Sequence, residues 1–115
     1  MLRGEIRLVD FGQTAAGESA YRRPAVIVSN NGANSMAARL GRGIVTVAPL
    51  SSNVNRIYPF QVLVPAEESG LDQDSKVQAE QVRSVSVERV MRSLGSVPAD
   101  LMLRVDEALR LHLAL

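Results

Sequence analysis

Arg22-Arg23-Pro24-Ala25-Val26-Ile27-Val28-Ser29 sets two guanidinium groups directly before a continuous apolar run. A strand covered on both faces has no polar alternation, so Ala25–Val28 is expected as a central strand. Pro24 fixes the backbone ahead of it, which places the arginines at the strand's mouth on a rigid base. A guanidinium stays charged at physiological pH, and its planar fork matches the oxygens of a phosphate. The same pair before an ordinary strand also reads as solvated surface charge, so the rest of the chain must decide.

Working outward, Glu5–Asp10 alternates polar and apolar residues and predicts a first strand. Phe11–Tyr21, rich in Gly, Ala, Gln, Ser and Thr, is expected as a loop of the kind that carries function in small domains. Asn30-Asn31-Gly32 marks a turn, and Asn34–Leu40 fits one short helix before Gly41. Gly43–Ala48 predicts a third strand stopped by Pro49, and Phe60–Val64 a fourth ended by Pro65. The polar Ser51–Arg56 stretch between them is a second candidate for a functional loop. Glu67–Asp74 reads as a polar connection, Val77–Val85 as two short strands, and Arg89–Val97 as the last strand.

The end of the chain changes period. Pro98 suits a first helical turn, and Leu101, Met102, Val105, Ala108, Leu109, His112 and Leu113 recur at helical spacing. This predicts one amphipathic helix packed on the sheet, with His112 on or beside its apolar face. Five to seven short strands with a terminal helix make a mostly β, α+β fold: a small, strongly bent sheet or barrel.

At 115 residues the chain fits one domain, residues 1–115, long enough to bury a core without staples. Having no cysteine, it lacks disulfides and thiolate metal sites, which fits a reducing compartment and a cytoplasmic location. Its single histidine excludes a His-rich metal site. No apolar run reaches the roughly 20 residues of a membrane span, and the start, Met1-Leu2-Arg3-Gly4-Glu5, does not read as a signal peptide. The net charge of +1 hides an asymmetry. Residues 1–58 carry seven arginines against Glu5, Asp10 and Glu18, a balance of +4, and residues 59–115 carry −3. A basic half attracts a polyanion even when the whole is near neutral.

Conventional catalytic sets are missing. There is no cysteine nucleophile, no Gly-rich phosphate loop, and a Ser-His-Asp set would need His112. Glu67-Glu68 and Asp72/Asp74 flank a turn and read as solvated charge rather than a metal cluster. Metal-free RNA cleavage needs less, because the ribose supplies its own 2′-hydroxyl nucleophile. The protein must align that oxygen with phosphorus, stabilise the added negative charge and help protonate the leaving 5′-oxygen. An arginine and a hydroxyl at one phosphate meet much of that need. Arg23 with Ser51 or Ser52 is such a pair if the loop after the third strand lies near the start of the second.

Five blocks in order carry a family resemblance. They are Arg3-Gly4-Glu5-Ile6 with Val9-Asp10; Arg23-Pro24-Ala25-Val26-Ile27-Val28-Ser29; Tyr58-Pro59-Phe60-Gln61-Val62; Glu80-Gln81-Val82-Arg83-Ser84-Val85; and Val105-Asp106-Glu107-Ala108-Leu109. In these the chain resembles the MazF/PemK family of toxin endoribonucleases over nearly its whole length. The resemblance implies an SH3-like, CcdB/PemK-like barrel with a C-terminal helix, working as a homodimer. It implies sequence-specific, metal-independent cleavage of single-stranded RNA, leaving 2′,3′-cyclic phosphate and 5′-hydroxyl ends, with no cofactor. It also implies a cognate antitoxin whose acidic, disordered tail occupies the RNA groove.

Carried over position by position, the family's catalytic arginine falls on Arg23, its catalytic threonine on Ser51 and its loop glutamate on Glu18. Gln81 matches a position associated with RNA contact, and Arg22, Ser52, Asn53, Arg56 and Arg83 are expected to bind RNA beside it. Arg23 suits charge stabilisation and proton donation, since its pKa makes it a poor base. Ser51 would hydrogen-bond phosphate oxygens, with Glu18 as general base.

Three positions depart from the family pattern. Arg7 stands where an aromatic residue is usual, Asp10-Phe11-Gly12-Gln13 replaces Asp-Leu-Asp-Pro, and Ser51 lacks the threonine methyl. The alternatives are a non-catalytic RNA- or protein-binding barrel and a gyrase-poisoning toxin of the same fold. The latter class ends in Trp-Gly-Ile, whereas this chain has no tryptophan and ends Leu113-Ala114-Leu115.

Overall fold

The structure, a computed structural model, describes residues 1–13 and 20–115. Seven antiparallel strands alternate with helices: β1 Glu5–Gln13, β2 Ala20–Ile27, α1 Asn31–Leu40, β3 Ile44–Ser51, β4 Gln61–Val64, α2 Ala66–Ser69, β5 Ser75–Gln78, β6 Arg83–Ser86, β7 Val90–Ser96 and α3 Ala99–Leu113. A 3₁₀ turn, Ala79–Gln81, joins β5 to β6. The strands hydrogen-bond in the order β4-β5-β3-β2-β1-β7, and β6 also pairs with β3. The mostly β, α+β fold with a C-terminal helix is thus as expected.

β3 organises the sheet. Its middle pairs with β2, as Ala25↔Pro49 and Ile27↔Val47, its start pairs with β6, and its end with β5, as Leu50↔Val77 and Ser51↔Lys76. One strand serving three neighbours forces the bend. Apolar residues therefore gather on both sides of the sheet. Ile6, Val26, Leu50, Val62 and Val77 pack beneath Leu101, Met102, Val105 and Ala108 of α3. Val9, Ala25, Ile27, Val45, Val47 and Val85 pack beneath Ala37 of α1. Arg3 fastens the chain start to α3, donating to the Val28 carbonyl at 2.8 Å and pairing with Asp106 at 2.6 Å.

Several boundaries correct the sequence expectations. β1 runs on to Gln13 and β2 begins at Ala20, so the described ends of the loop expected over Phe11–Tyr21 are strand. Arg22, Arg23 and Pro24 lie inside β2 rather than at its mouth: Pro24 sits opposite Leu8 of β1, just before the β3 ladder begins at Ala25. Pro49 does not stop the third strand, which continues to Ser51. α1 starts at Asn31, because Asn30 caps it by accepting from the Ala33 amide at 2.8 Å. The polar connection over Glu67–Asp74 overlaps the single turn α2, whose first residue is fixed by Asp74 accepting from the Ala66 amide at 2.8 Å. His112 is exposed, as are Leu111 and Leu113 beside it in the last turn of α3, whose buried residues end at Ala108.

Two of the departures also find physical roles. Arg7 is half-buried, donates to the Met91 carbonyl at 2.7 Å and reaches Glu5 at 3.4 Å. It therefore bonds β7 where the β1–β7 register shifts, a place an aromatic ring would only have filled. Gly12 has φ +93° where the β1–β2 register shifts between Asp10 and Gln13, a β-bulge geometry that favours glycine.

Candidate nucleic-acid interface

The β2–β3 ladder brings the leading candidates together. Continuing the Ala25↔Pro49 register outward by two residues on each strand sets Arg23 level with Ser51. The contacts agree: Arg23 Nη2 donates to the main-chain carbonyl of Leu50 at 2.7 Å. The same Nη2 donates to Gln78 Oε1 at 2.6 Å, and the ring of Tyr21 lies 5.7 Å from the guanidinium carbon. Arg23, Ser51 and Ser52 line one cleft of about 800 Å³, with Tyr21, Asp72 and Gln78 also on its walls.

Electrostatically, Arg23 is half-buried yet takes part in no ion pair among the described residues; both its hydrogen-bond acceptors are neutral. Arg3, Arg7 and Arg89, by contrast, pair with Asp106, Glu5 and Asp10. A half-buried cation held only by neutral acceptors keeps its charge for an incoming anion. Ser51 Oγ accepts from the Asn53 amide at 3.2 Å, which turns the hydroxyl hydrogen toward other partners. The cleft thus offers a fixed positive charge and a hydroxyl donor side by side.

The other predicted residues are spread around this centre. Ser52 lines the cleft. Arg22 is exposed on β2 opposite Asp10, and Asn53 starts the exposed loop after Ser51. Arg56 lies 5.7 Å over the Tyr58 ring, and Arg83, on β6, lies 5.1 Å over Phe11. Gln81 is exposed at the end of the 3₁₀ turn, and none of Arg22, Asn53, Arg56, Gln81 or Arg83 lines the cleft. Glu18 lies outside the described residues. Three of the candidate arginines therefore rest on aromatic rings, Tyr21, Tyr58 and Phe11, whose negative faces hold a cation. Three of the four aromatic side chains thus steady arginines.

The loop bearing Asn53 and Arg56 is anchored from below. Lys76, buried and opposite Ser51, donates to the Arg56 carbonyl at 2.9 Å. Gln61 accepts from the Tyr58 amide at 3.1 Å and donates to Glu80 at 2.8 Å. Tyr58 and Phe60 stack in parallel at 5.3 Å. The Tyr58-Pro59-Phe60-Gln61 block thus serves loop placement.

Residues that sequence reasoning left out are Gln78, Tyr21 and Asp72. Gln78 meets Arg23 across 55 positions of chain, so no local pattern points to it. From sequence Asp72 reads as solvated charge in a turn; in the fold it forms part of the cleft wall.

Comparison with known proteins agrees with this architecture. Residues 2–113 match the family model described as PemK-like, MazF-like toxin of type II toxin-antitoxin system. The chain is 51% identical to Endoribonuclease MazF9 of Mycobacterium tuberculosis over 115 residues, covering all of this chain and 98% of that protein. Among solved structures it is similar to an endoribonuclease in complex with its cognate antitoxin from a mycobacterial species, with a TM-score of 0.78, 25% identity, and coverage of 100% of this chain and 96% of that one. It is also similar to MazF from Deinococcus radiodurans, with a TM-score of 0.76, 27% identity, and coverage of 100% and 97%. The chain belongs to the PemK-like, MazF-like toxin family of type II toxin–antitoxin systems.

Proposed function

We propose that the protein is an endoribonuclease toxin that cuts single-stranded RNA at short sequences without a metal ion or cofactor. The observation that carries this reading is Arg23, a half-buried guanidinium without an ion pair among the described residues, beside the Ser51 hydroxyl in an open cleft. Whole-length similarity to a mycobacterial endoribonuclease supports it.

The reaction is an in-line transesterification. Glu18 takes the proton of the ribose 2′-hydroxyl as that oxygen forms a bond to phosphorus. The bond from phosphorus to the 5′-oxygen breaks, and Arg23 supplies the proton that the leaving oxygen takes up. Products are a 2′,3′-cyclic phosphate and a 5′-hydroxyl; proton exchange with water resets Glu18 and Arg23. In the transition state the extra charge on the phosphoryl oxygens is met by Arg23 and the Ser51 hydroxyl, both placed before substrate arrives. Arg22, Ser52, Asn53, Arg56, Gln81 and Arg83 bind the flanking nucleotides, the arginines through phosphate.

The 115 residues act as one toxin domain, as a homodimer in the cytoplasm, and no helix among the described residues is long and apolar enough to cross a membrane. The partner is a cognate antitoxin, a reading supported by the structural relative bound to its own. Its acidic, disordered tail competes for the field that draws RNA.

Incubation with mixed-sequence RNA in EDTA, followed by mapping of new ends, tests the reading. Cuts at one short motif with 5′-hydroxyl ends are expected. Intact RNA beside a folded protein that still retains RNA would instead favour a non-catalytic binding barrel.

A further inference from the structure

Among the described residues, the hydrogen bonds that orient Arg23 all fall on one of its nitrogens. Its Nη2 makes two hydrogen bonds inside the protein, to the Leu50 carbonyl at 2.7 Å and to Gln78 Oε1 at 2.6 Å. A guanidinium carries five N–H donors, so three remain on Nε and Nη1. Among the described residues neither of those atoms has a hydrogen-bond partner. Gln78 closes β5, is half-buried and lines the cleft. Its neighbours Val77 and Ala79 are buried in the core beneath α3. The amide therefore stands at the polar rim of an apolar layer, where an aliphatic side chain would pack as well.

We infer that Gln78 is a positioning residue that fixes the rotation of the Arg23 guanidinium, so that its Nε and Nη1 edge faces the scissile phosphate. The inference rests on the endoribonuclease reading above and deepens it. With the Leu50 carbonyl and the face of the Tyr21 ring alone, the guanidinium can still turn about one hydrogen bond; a second acceptor on the same nitrogen fixes that rotation. The choice of acceptor matters as much as its place. A carboxylate at position 78 would hold Arg23 equally well but would cancel the charge that phosphate needs. A neutral amide holds the group and leaves its charge in place. With Oε1 engaged, the Gln78 Nε2 group keeps two donors of its own.

The test is steady-state cleavage of a short RNA carrying the mapped cut sequence by the full-length wild type and by Gln78→Leu, Gln78→Met and Gln78→Glu. Gln78→Leu and Gln78→Met are expected to lower kcat roughly 10- to 100-fold, with KM changed far less, as a mis-set catalytic group does. Gln78→Met keeps length and flexibility, so agreement between the two removes packing as the cause. Gln78→Glu is expected to raise KM at neutral pH. That rise in KM should persist from about pH 8 to about pH 5.5, because a carboxyl bonded to Arg23 stays ionised throughout that range and keeps offsetting its charge. Arg23 and Asp72 are the other charged side chains lining that cleft. RNA left whole by the wild type overturns the endoribonuclease reading and this inference with it. Cleavage by the wild type with unchanged kcat in Gln78→Leu and Gln78→Met, or with unchanged KM in Gln78→Glu, overturns the inference alone.

Discussion

Arg23 bonds the carbonyl of Leu50 at 2.7 Å, one residue before Ser51. A single contact between neighbouring strands thus ties the cation of the site to the segment that bears its hydroxyl. β2 and β3 carry the two groups just past the end of their ladder, and the Arg23–Leu50 contact bridges the strands there. Strand-borne groups are held more rigidly than groups on loops, which suits a reaction that depends on charge fixed in advance.

Ser51 should therefore act through its hydroxyl and little else. Ser51→Ala is expected to lower kcat by about 10²- to 10³-fold, the usual cost of one donor to a developing oxyanion. Ser51→Thr should stay close to wild type, since the added methyl narrows the rotamers without removing the donor. Single-turnover cleavage of one RNA by the three proteins decides the point; equal rates for Ser51→Ala and wild type would remove Ser51 from the site.

Gly95 should tolerate no side chain. A Cβ there would drive into the Ser69 carbonyl, backbone against backbone. Here β7 passes α2, and both neighbours of the contact, Gly70 and Leu94, line the cleft. Gly95→Ala is expected to destabilise the protein by about 1–3 kcal/mol through overpacking, with loss of cleavage from whatever remains folded. Gly12→Ala meets only the flexible end of Arg89, so its cost, also about 1–3 kcal/mol, comes from the positive φ. Urea denaturation of both variants measures these costs, and a Gly95→Ala protein as stable as wild type would refute the close approach.

The acid side of the stability curve should depend partly on Glu5. Burial pushes its carboxyl pKa up, but the Ser93 hydrogen bond, the Arg7 charge, the Leu2 backbone and the N-terminus together outweigh burial and hold it below the ordinary value. A group with a depressed folded pKa stabilises the fold above its unfolded pKa and loses that contribution as pH falls through the folded one. Glu5→Gln is thus expected to lower Tm at neutral pH, by an amount worth under about 1 kcal/mol for a partly solvated pair. The gap between the two proteins should close as pH drops below about 4. Parallel Tm curves across that range would contradict the assignment.

The sequence carried the fold further than it carried the site. Val26 and Ile27 announce a buried strand by their unbroken apolar run, and Leu101, Val105 and Ala108 announce α3 by their spacing. The boundaries failed where polar residues pair as strand. Arg22, Arg23 and Pro24 look like a strand's preamble, yet they pair with β1, beyond the reach of the β3 ladder. Asn31 and Gly32 look like a turn, yet the Asn30 cap makes them the first turn of α1. His112 keeps the helical period, but the buried face of α3 ends at Ala108. Of the candidate site, Arg23 was legible from its recognisable block, and Ser51 from its place directly after Val47-Ala48-Pro49-Leu50. Gln78 was not, because its role exists only once β5 folds against β3.

The most direct test of the account is the cleavage rate of Arg23→Ala and Arg23→Lys, in EDTA, on the RNA sequence that the wild type cuts. Arg23→Ala should lose at least about 10³-fold in kcat, the scale of a removed catalytic charge, while melting near the wild-type temperature. Arg23→Lys should recover a small part, since a point charge cannot reproduce the fork held by Leu50 and Gln78. An Arg23→Ala protein that cuts the same bond within about tenfold of wild type, a difference of roughly 1.4 kcal/mol, would contradict the account.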